Sequence, residues 1–504
     1  MSHRARILGL LSGAGVEPRQ PVQPDVTISG IMLDSRQVAD GTLFCALQGR
    51  HNDGHAFIDQ AVTGGARAVL SERTRPRELD PEVAWIQVND ARRATGLLAR
   101  EWHGRPDEAM TLVGVTGTNG KTTVCYLVES MVRAAGRTAG RMGTVSHAFG
   151  GAEHAASRTT PEATEAYEWL ARMRNAGVDV VAMEVSSHGL ALSRVAGARF
   201  AVGAFLNLSR DHLDYHETME RYLEHKSRLI DGLDEQATAV LNADDPRIAG
   251  LADRATARAI LFGSSKQADV RVLRERCSLD RTAVELDTPV GRVALDSPLI
   301  GSFAADNLAA ATACALGAGI ETAAIATGAG ALECVPGRME RLDAGQPFAL
   351  VVDYAHTDEA LARLLDGVRS MTAGRVIVVF GCGGERDRGK RPVMGRAAAQ
   401  RADLIFLTSD NPRGEDPLAI LAEIERGVAE VNGGPQRCRV VPDRGEAIEQ
   451  AVFEAGPGDT LVVAGKGHET TQTVGRRATS FDDRIAARQA LASRGYAGGC
   501  HAGA

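Results

Sequence analysis

Residues 112–123 read LVGVTGTNGKTT, and the rest of the chain is best read outward from them. An apolar run stops at a turn rich in glycine, and Lys121, Thr122 and Thr123 then open the amphipathic stretch KTTVCYLVESMVRAAG. A strand that enters such a turn and leaves as a helix aims several backbone N–H groups at one point, and the helix N-terminus adds positive potential there. Gly117 and Gly120 let the main chain approach a phosphate closely. Lys121 can reach the β- and γ-phosphates, and the Thr122 hydroxyl can ligate Mg²⁺. In the usual spacing of such loops a glycine falls where this chain has Val115. The stretch predicts ATP held by Gly117, Thr118, Asn119, Gly120, Lys121, Thr122 and Thr123.

The surroundings of the loop define the fold class. TLVGVTG, VDVVAMEV, ARFAVGAFLNL and ATAVLNADD are strand-like and alternate with helical stretches. A third block begins near residue 346 with FALVVDYAH, RVIVVFGCGG, DLIFLTSDNPR and TLVVAGKGHE, separated by patterns such as DPLAILAEIERGVAEV. Its apolar positions fall at i, i+3, i+4 and i+7. Alternation of this kind predicts α/β architecture with largely parallel, helix-covered sheets. The first hundred residues contain the extended runs GTLFCAL and ARAVLSE, with a helix over FIDQAVTGGA between them. EWHGRPDEA, at 101–109, is polar and contains proline, so it reads as a linker. LECVPGRME, at 332–340, reads as the second join, and GYAGGCHAGA at the end as a frayed terminus. Three domains are expected, at 1–107, 108–335 and 336–504, as suits 504 residues at about 100–200 per domain.

Composition narrows the function classes. Hydrophobic residues make up 44% and charged residues 24%, as in soluble globular proteins. A net charge of −7 argues against a nucleic-acid carrier. Cys45, Cys125, Cys277, Cys314, Cys334, Cys382, Cys438 and Cys500 include no C-x-x-C pair, so zinc ribbons and thiol redox motifs are not supported. Scattered cysteines, the short ILGLL run and the lack of any long apolar segment predict a cytoplasmic protein without membrane insertion.

The strand candidates of the third block end in Asp353-Tyr354-Ala355-His356, Gly381 to Gly384, Asp410 to Arg413 and Gly465 to Glu469. Open parallel sheets bind ligands beyond the carboxyl ends of their strands, so these clusters should line one crevice. Read only as local structure, they are ordinary turns.

TGTNGKTT, at 116–123, resembles the nucleotide loop of the Mur ligase family of ATP-dependent amide-forming enzymes. LDSRQV, EVSSHGL, NLSRDHLDYH, NADD, VDYAHT, GCGGERDRGKR, SDNPR and AGKGHE follow that family's order across nearly the whole chain. The resemblance implies a small N-terminal α/β UDP-binding domain, a central P-loop parallel-sheet ATPase domain and a C-terminal Rossmann-like domain that binds an amino acid. It also implies a peptidoglycan-building reaction. ATP phosphorylates the γ-carboxylate of D-glutamate in UDP-N-acetylmuramoyl-L-Ala-D-Glu, and the amine of meso-diaminopimelate attacks the acyl phosphate.

The family's residues carry over as expectations. Lys121, Glu184, His212 and Lys226 are the catalytic set. Thr122, Glu184, His212 and Lys226 are the Mg²⁺ ligands, with Lys226 as a carbamate formed with CO₂. Such addition needs a lowered lysine pKa, and without the family Lys226 reads as a solvated helix residue. His225 beside it should point elsewhere on the helix. Asn307, Arg338, Asp353 and His356 match further ATP contacts, although Ala304 stands where relatives often carry Asn. Leu33, Ser35, Arg50, His51, Asn52, Thr159, Thr160, Ser186, Leu192 and Arg194 match the UDP-precursor site, with Arg158 at another departure.

Arg386, Asp410, Asn411, Pro412, Arg413, Gly465 and Glu469 match the diaminopimelate pocket. Diaminopimelate differs from lysine by a carboxylate, which a guanidinium fork suits. Arg413 is the expected partner of that carboxylate, while Asp410 or Asn411 holds the far ammonium. A monomer is expected. Two alternatives stay open on the sequence: a folylpolyglutamate-synthase-like ligase, and a nucleotide-dependent switch or binding module.

Overall fold

The computed structural model describes residues 4–49, 52–301 and 303–496. Arg50, His51 and the end of the terminal glycine-rich stretch lie outside them. The chain forms two compact units. The first comprises the chain up to Arg271 with Asp287–Gly291 and Ala309–Gly328. The second comprises Val272–Leu286, Arg292–Leu308 and the chain from Ala329 onward.

The first unit begins with helix α1 (Ile7–Ala14) and a parallel sheet in the order β1 (Ile31–Met32), β2 (Leu43–Cys45), β3 (Ala68–Ser71), β4 (Ala84–Gln87). Helix α2 (Ile58–Thr63) lies within the helical run expected there, and α3 (Ala91–Trp102) follows β4. Ala91, Ala94 and Leu98 of α3 join Leu43, Leu70 and Ile86 in one core, so the helix buries a single stripe.

The expected polar linker at 101–109 has a different character. Helix α3 continues into it, and Asp107 is only 2% exposed. Arg100 Nε lies 2.9 Å from both Asp107 oxygens, and the Arg199 backbone N–H donates to Asp107 at 3.1 Å. The polar letters mark a buried ion pair joining three segments, a role that composition does not distinguish from solvent exposure.

The larger sheet of this unit is built around β5 (Thr111–Thr116), which leads through the phosphate-loop candidate into α4 (Lys121–Ala134). There follow β6 (Ala139–Met142), β7 (Ser146–Phe149), β8 (Ala152–Ala155), α5 (Ala163–Asn175), β9 (Val180–Glu184), α6 (Ser187–Ala191) and β10 (Val202–Phe205). Next come α7 (Leu213–His216), α8 (Met219–Asp231), β11 (Thr238–Asn242) and β12 (Arg258–Gly263). The spatial order is β8-β7-β6-β9-β5-β10-β11-β12. Strands β6, β9, β5, β10, β11 and β12 run parallel, as expected, and the apolar runs of the inner strands β9, β5, β10 and β11 are buried on both faces. Strands β6, β7 and β8 form an antiparallel meander at one edge. Glu184 pairs with Val115 and Phe205 with Thr116, so β9, β5 and β10 end level with one another.

Strand β13 (Val270–Cys277) begins in the first unit, and β14 (Thr282–Thr288) and β15 (Gly291–Ser297) follow it. In β14, Thr282, Val284, Leu286 and Thr288 are buried while the residues between them are not. This period of two is the mark of a sheet with one covered face. Helices α9 (Ala304–Gly317) and α10 (Thr322–Ala331) complete this stretch.

The C-terminal part of the second unit contains β16 (Glu340–Arg341), β17 (Ala349–Asp353), α11 (Asp358–Met371), β18 (Val376–Phe380), α12 (Lys390–Arg401) and β19 (Leu404–Leu407). It continues with α13 (Pro417–Ala429), β20 (Cys438–Val440), α14 (Arg444–Glu454), β21 (Thr460–Ala464), the hairpin β22 (Thr471–Val474) and β23 (Arg477–Ser480), and α15 (Asp483–Ser493). The sheet order is β16-β17-β21-β18-β19-β20, parallel except for β16. Alternate residues of β18 feed opposite cores. Val378 and Phe380 pack with Leu361, Met394 and Ile424, whereas Ile377 and Val379 pack with Ile448, Val452 and Leu491. Register places Asp353 beside Ala464 and Phe380 beside Leu407, which brings the carboxyl ends together.

Helices α14 and α15 are tied by a fully buried pair, with Arg444 Nε 2.6 Å from Asp483 Oδ1 and Nη2 2.7 Å from Oδ2. Removing one partner strands a buried charge. Asp483→Ala is therefore expected to destabilise this unit by about 3–5 kcal/mol, read as a fall in urea midpoint. A midpoint equal to that of the parent chain would contradict it. Among the described residues, no helix is long and apolar enough to cross a membrane.

Candidate active site

In the first unit the predicted residues gather at the carboxyl ends of β5, β9 and β10. Gly117 has φ 152° and Gly120 has φ 86°, and a Cβ on Gly117 would lie 3.0 Å from Leu206 Cβ. Glycine at 117 thus answers both a backbone conformation and a close approach. The loop is fastened from outside. Asn207 Oδ1 accepts the Asn119 backbone N–H at 2.8 Å, and Asn207 Nδ2 donates to the Asn119 carbonyl at 3.1 Å. The Ser209 backbone N–H donates to Thr118 Oγ1 at 3.0 Å. Lys121 Nζ donates to the Gly117 and Thr118 carbonyls, both at 2.9 Å.

Lys226, on α8, is 1% exposed, and its Nζ donates to the same Gly117 carbonyl at 2.6 Å. Two lysine amines therefore converge on one acceptor. Burial lowers the Lys226 pKa well below the ordinary lysine value, and the Lys121 charge lowers it further. Its neighbour His225 points away, as expected, with Nδ1 2.9 Å from His216 Nδ1. His216 reaches Ser187 Oγ through Nε2 at 2.9 Å, and burial lowers its pKa to about 3, which keeps it neutral near neutral pH. These contacts fix α6, α7 and α8 together around Lys226.

Glu184, at the end of β9, is 1% exposed. Its Oε2 accepts from the Thr122 hydroxyl at 3.0 Å, and its Oε1 accepts from the Thr144 backbone N–H at 2.8 Å. Thr144 Oγ1 also lies 3.0 Å from Glu184 Oε2 and 3.0 Å from Thr159 Oγ1. Gly143 is required beside it, because a Cβ there would run into the Glu184 carboxylate. Gly143 and Thr144 were not singled out from sequence. No local signal marks them, because it is the fold that brings the end of β6 beside Glu184.

The fit of Mg²⁺ can be tested on this geometry. Octahedral Mg²⁺ with ligands at about 2.1 Å sets neighbouring oxygens about 3 Å apart, which the Thr122–Glu184 spacing matches. His212 caps the start of α7 with φ 54°, and its side chain is exposed. Burial lowers its pKa, Asp211 opposes that, and the charges of Lys121 and Lys226 add to it. Among the described residues, no three His, Cys, Asp or Glu side chains converge as a ready metal site. The expected ligand set therefore depends on Thr122 and on Lys226 exchanging its positive charge for an anionic oxygen.

The second-block precursor residues form one network. Thr160 Oγ1 donates to the Glu184 carbonyl at 2.9 Å, lies 3.1 Å from Ser186 Oγ and accepts the Ser186 N–H at 2.9 Å. Arg194 Nη1 donates to the Thr160 carbonyl at 3.0 Å, and Nη2 pairs with Glu162 at 2.7 Å. Leu192 caps the end of α6. Arg158 makes a longer, more exposed pair with Glu162 at 3.8 Å. In the first block, Ser35 Oγ donates to Gln60 Oε1 at 2.8 Å, Leu33 packs against the small-sheet core, and Asn52 is exposed. Arg92, not anticipated, donates to the Gln48 carbonyl at 2.7 Å, and its charge is felt at Arg194.

The second unit holds the remaining candidates. The Met339 and Ala355 backbone N–H groups each donate to Asp353 at 2.8 Å, and burial raises its pKa. Arg338 lies over the Tyr354 ring, 4.6 Å from its centroid. His356 is exposed, with Nδ1 2.9 Å from the Tyr354 carbonyl. Asn307 lies in the first turn of α9 and belongs to this unit.

The strand-end clusters of this unit do meet. Asp410 and Asn411 are buried, and Arg413 has φ 51°. Arg413 Nη1 donates to the Gly384 carbonyl at 2.8 Å, and Asn411 Nδ2 donates to Glu469 Oε2 at 2.9 Å. A Cβ on Gly465 would lie 2.8 Å from Asp410 Oδ2, and one on Gly384 would overlap the Pro412 carbonyl. Arg386 is exposed nearby, its charge reaching Tyr354. A guanidinium, two carboxylates and an amide are thereby assembled at one sheet edge.

A sheet ending in a glycine-rich loop, and a second sheet whose strand ends carry Asn411, Arg413 and Glu469, are parts that an ATP-using ligase would need. Models of the Mur ligase family catalytic domain, the Mur ligase middle domain and the Mur ligase glutamate ligase domain match residues 27–103, 115–315 and 337–467. The chain belongs to the Mur ligase family, with its three-domain α/β fold. It is 42% identical, over 96% of its length and 98% of the relative's, to the UDP-N-acetylmuramoyl-L-alanyl-D-glutamate–2,6-diaminopimelate ligase of Solibacter usitatus. To the protein of that name from Gloeobacter violaceus it is 44% identical, over 97% and 98%. A solved structure of a ligase of the same name is similar at TM-score 0.69 and 32% identity, covering 98% of this chain and 99% of that one. A folylpolyglutamate synthase from Mycobacterium tuberculosis with ADP shares the fold at TM-score 0.61 and 20% identity, over 73% and 91%.

Proposed function

We propose that the chain adds meso-diaminopimelate to UDP-N-acetylmuramoyl-L-Ala-D-Glu at the expense of ATP, in peptidoglycan synthesis. Near-full-length identity to diaminopimelate ligases supports this reading, and the observation that carries it is Arg413, held on the Gly384 carbonyl at 2.8 Å in the loop where Asn411 bonds Glu469 at 2.9 Å. A γ-carboxylate oxygen of D-glutamate attacks the terminal phosphorus of ATP, and ADP leaves. The free amine of diaminopimelate then adds to the acyl carbon, the C–O bond to phosphate breaks, and the amine gives up a proton. Both reactants are anions, so fixed cations between them lower the barrier.

Lys121 steadies the phosphate loop and supplies positive charge. Thr122, Glu184, His212 and carbamylated Lys226 would hold Mg²⁺, which neutralises phosphate charge when bound. The buried, Lys121-crowded amine of Lys226 supports the carbamate, because CO₂ adds to a neutral amine. Leu33, Ser35, Asn52, Thr159, Thr160, Ser186, Leu192 and Arg194 take the UDP precursor. Arg386, Asp410, Asn411, Pro412, Arg413, Gly465 and Glu469 take diaminopimelate. Domain boundaries at 107/108 and 335/336, a cytoplasmic monomer and no nucleic-acid partner complete the proposal.

The test is phosphate release with ATP and Mg²⁺, adding the UDP-linked dipeptide and then diaminopimelate, with product mass as the readout. Release is expected only when both are present, with a product heavier by one diaminopimelate residue. Release that ignores both additions would instead indicate a nucleotide switch, and turnover only with a folate and glutamate a folylpolyglutamate-type ligase.

A further inference from the structure

Lys466 is completely buried, and neither it nor the hairpin β22–β23 is among the expected site residues. Its Nζ donates to the Thr471 carbonyl at 2.7 Å, to Glu469 Oε2 at 3.1 Å and to Asn411 Oδ1 at 3.3 Å. An ammonium has three protons, and here all three go to the amino-acid pocket and the hairpin beside it.

The consequences for the pocket are specific. Asn411 Oδ1 accepts from Lys466 and, at 2.9 Å, from the Thr473 backbone N–H. With its oxygen taken, the Asn411 amide must turn Nδ2 toward Glu469, as observed. Glu469 Oε2 then has two donors, which orients its other oxygen for a substrate amine. The hairpin fixes the rest of the loop. The Arg413 N–H donates to the Thr473 carbonyl at 3.0 Å, and the Gly475 N–H donates to the Arg413 carbonyl at 2.6 Å. Gln472 Nε2 donates to the Asp410 carbonyl at 2.8 Å. Arg413 sits in the left-handed backbone region, which a side chain other than glycine enters at a cost. Hydrogen bonds on both sides of it hold that conformation, and with it the direction of the guanidinium.

We propose that Lys466 and the β22–β23 hairpin are positioning elements for diaminopimelate: they set the Asn411 amide, the Glu469 carboxylate and the Arg413 backbone so that the amine and distal carboxylate of the substrate are read together. This rests on the reading of the D-N-P-R loop as the diaminopimelate pocket.

The test uses the full chain and separate KM values for diaminopimelate, ATP and the UDP precursor. Lys466→Met, which keeps length and loses the donors, is expected to raise KM for diaminopimelate about tenfold or more, with the other two KM values unchanged. Combined with Glu469→Gln it should add little, because it acts through that carboxylate. Gln472→Leu, at a half-buried hairpin position, carries the test if Lys466→Met does not fold. It should raise the same KM several-fold and narrow the preference for diaminopimelate over lysine.

Equal movement of all three KM values, or a change confined to thermal stability, would overturn the proposal. Arg413→Ala in the same panel separates the two readings. If Arg413→Ala raises KM for diaminopimelate while Lys466→Met and Gln472→Leu do not, only the positioning role fails. If Arg413→Ala has no effect, the pocket reading fails, and this proposal with it.

Discussion

Replacing Lys226 with alanine is expected to lower kcat by about 10²–10³-fold, the usual cost of removing one group that stabilises charge in a reacting centre. The expectation rests on position. Lys226 is buried, shares the Gly117 carbonyl with Lys121, and has its pKa lowered first by burial and then by that neighbour. A permanent ammonium here would repel both Lys121 and a metal ion. A carbamate reverses the sign and supplies an oxygen. Lys226→Arg separates the two possibilities, because arginine keeps the positive charge and does not take up CO₂ as lysine does. Activity of Lys226→Arg within about threefold of the parent chain would defeat the carbamate. Parent activity that falls in CO₂-depleted buffer and returns with bicarbonate would support it.

Arg413→Ala is expected to reduce kcat/KM for diaminopimelate by about 10²–10³-fold, since losing one partner of a desolvated charge pair costs about 2–5 kcal/mol. The loss should appear mainly in KM for diaminopimelate, with KM for ATP unchanged. Lysine lacks the distal carboxylate, so whatever slow turnover it supports should change little. The ratio of the two kcat/KM values is therefore the decisive quantity, and an unaltered ratio would remove Arg413 from recognition. Arg413→Lys keeps the charge without the planar fork and should recover only part of the loss.

The frame of the molecule was legible in the sequence, as was which candidate residues would meet at the strand ends, and particular residues show why. Strands β5, β9, β18 and β21 are continuous apolar runs ending in glycine or acidic residues, so both the parallel sheets and where their strands end were legible. At 101–109 the polar letters did not reveal that Asp107 is buried and paired with Arg100. The alternation in β14 and β15 was visible in TAVELDT and GRVALDS but was passed over for the helix–strand rhythm around it.

Thr144, Asn207 and Lys466 were missed for a deeper reason. Each acts through a partner 40, 88 or 55 positions away in sequence, and nothing local marks the pairing. The lowered pKa of Lys226 was likewise not readable from its own helix, because a lysine on an amphipathic helix looks solvated until the fold buries it near Lys121.

Asn207 grips the main chain of residue 119 and leaves the side chain there untouched. Its amide offers one donor and one acceptor side by side, so it stands in for a length of neighbouring strand and gives the loop an edge to lie against. The shape of the loop is thus dictated from outside, and the letter at 119 is free to answer to whatever the loop holds. Position 207 has no such liberty: aspartate would face a carbonyl with a second oxygen, and leucine would offer nothing at all.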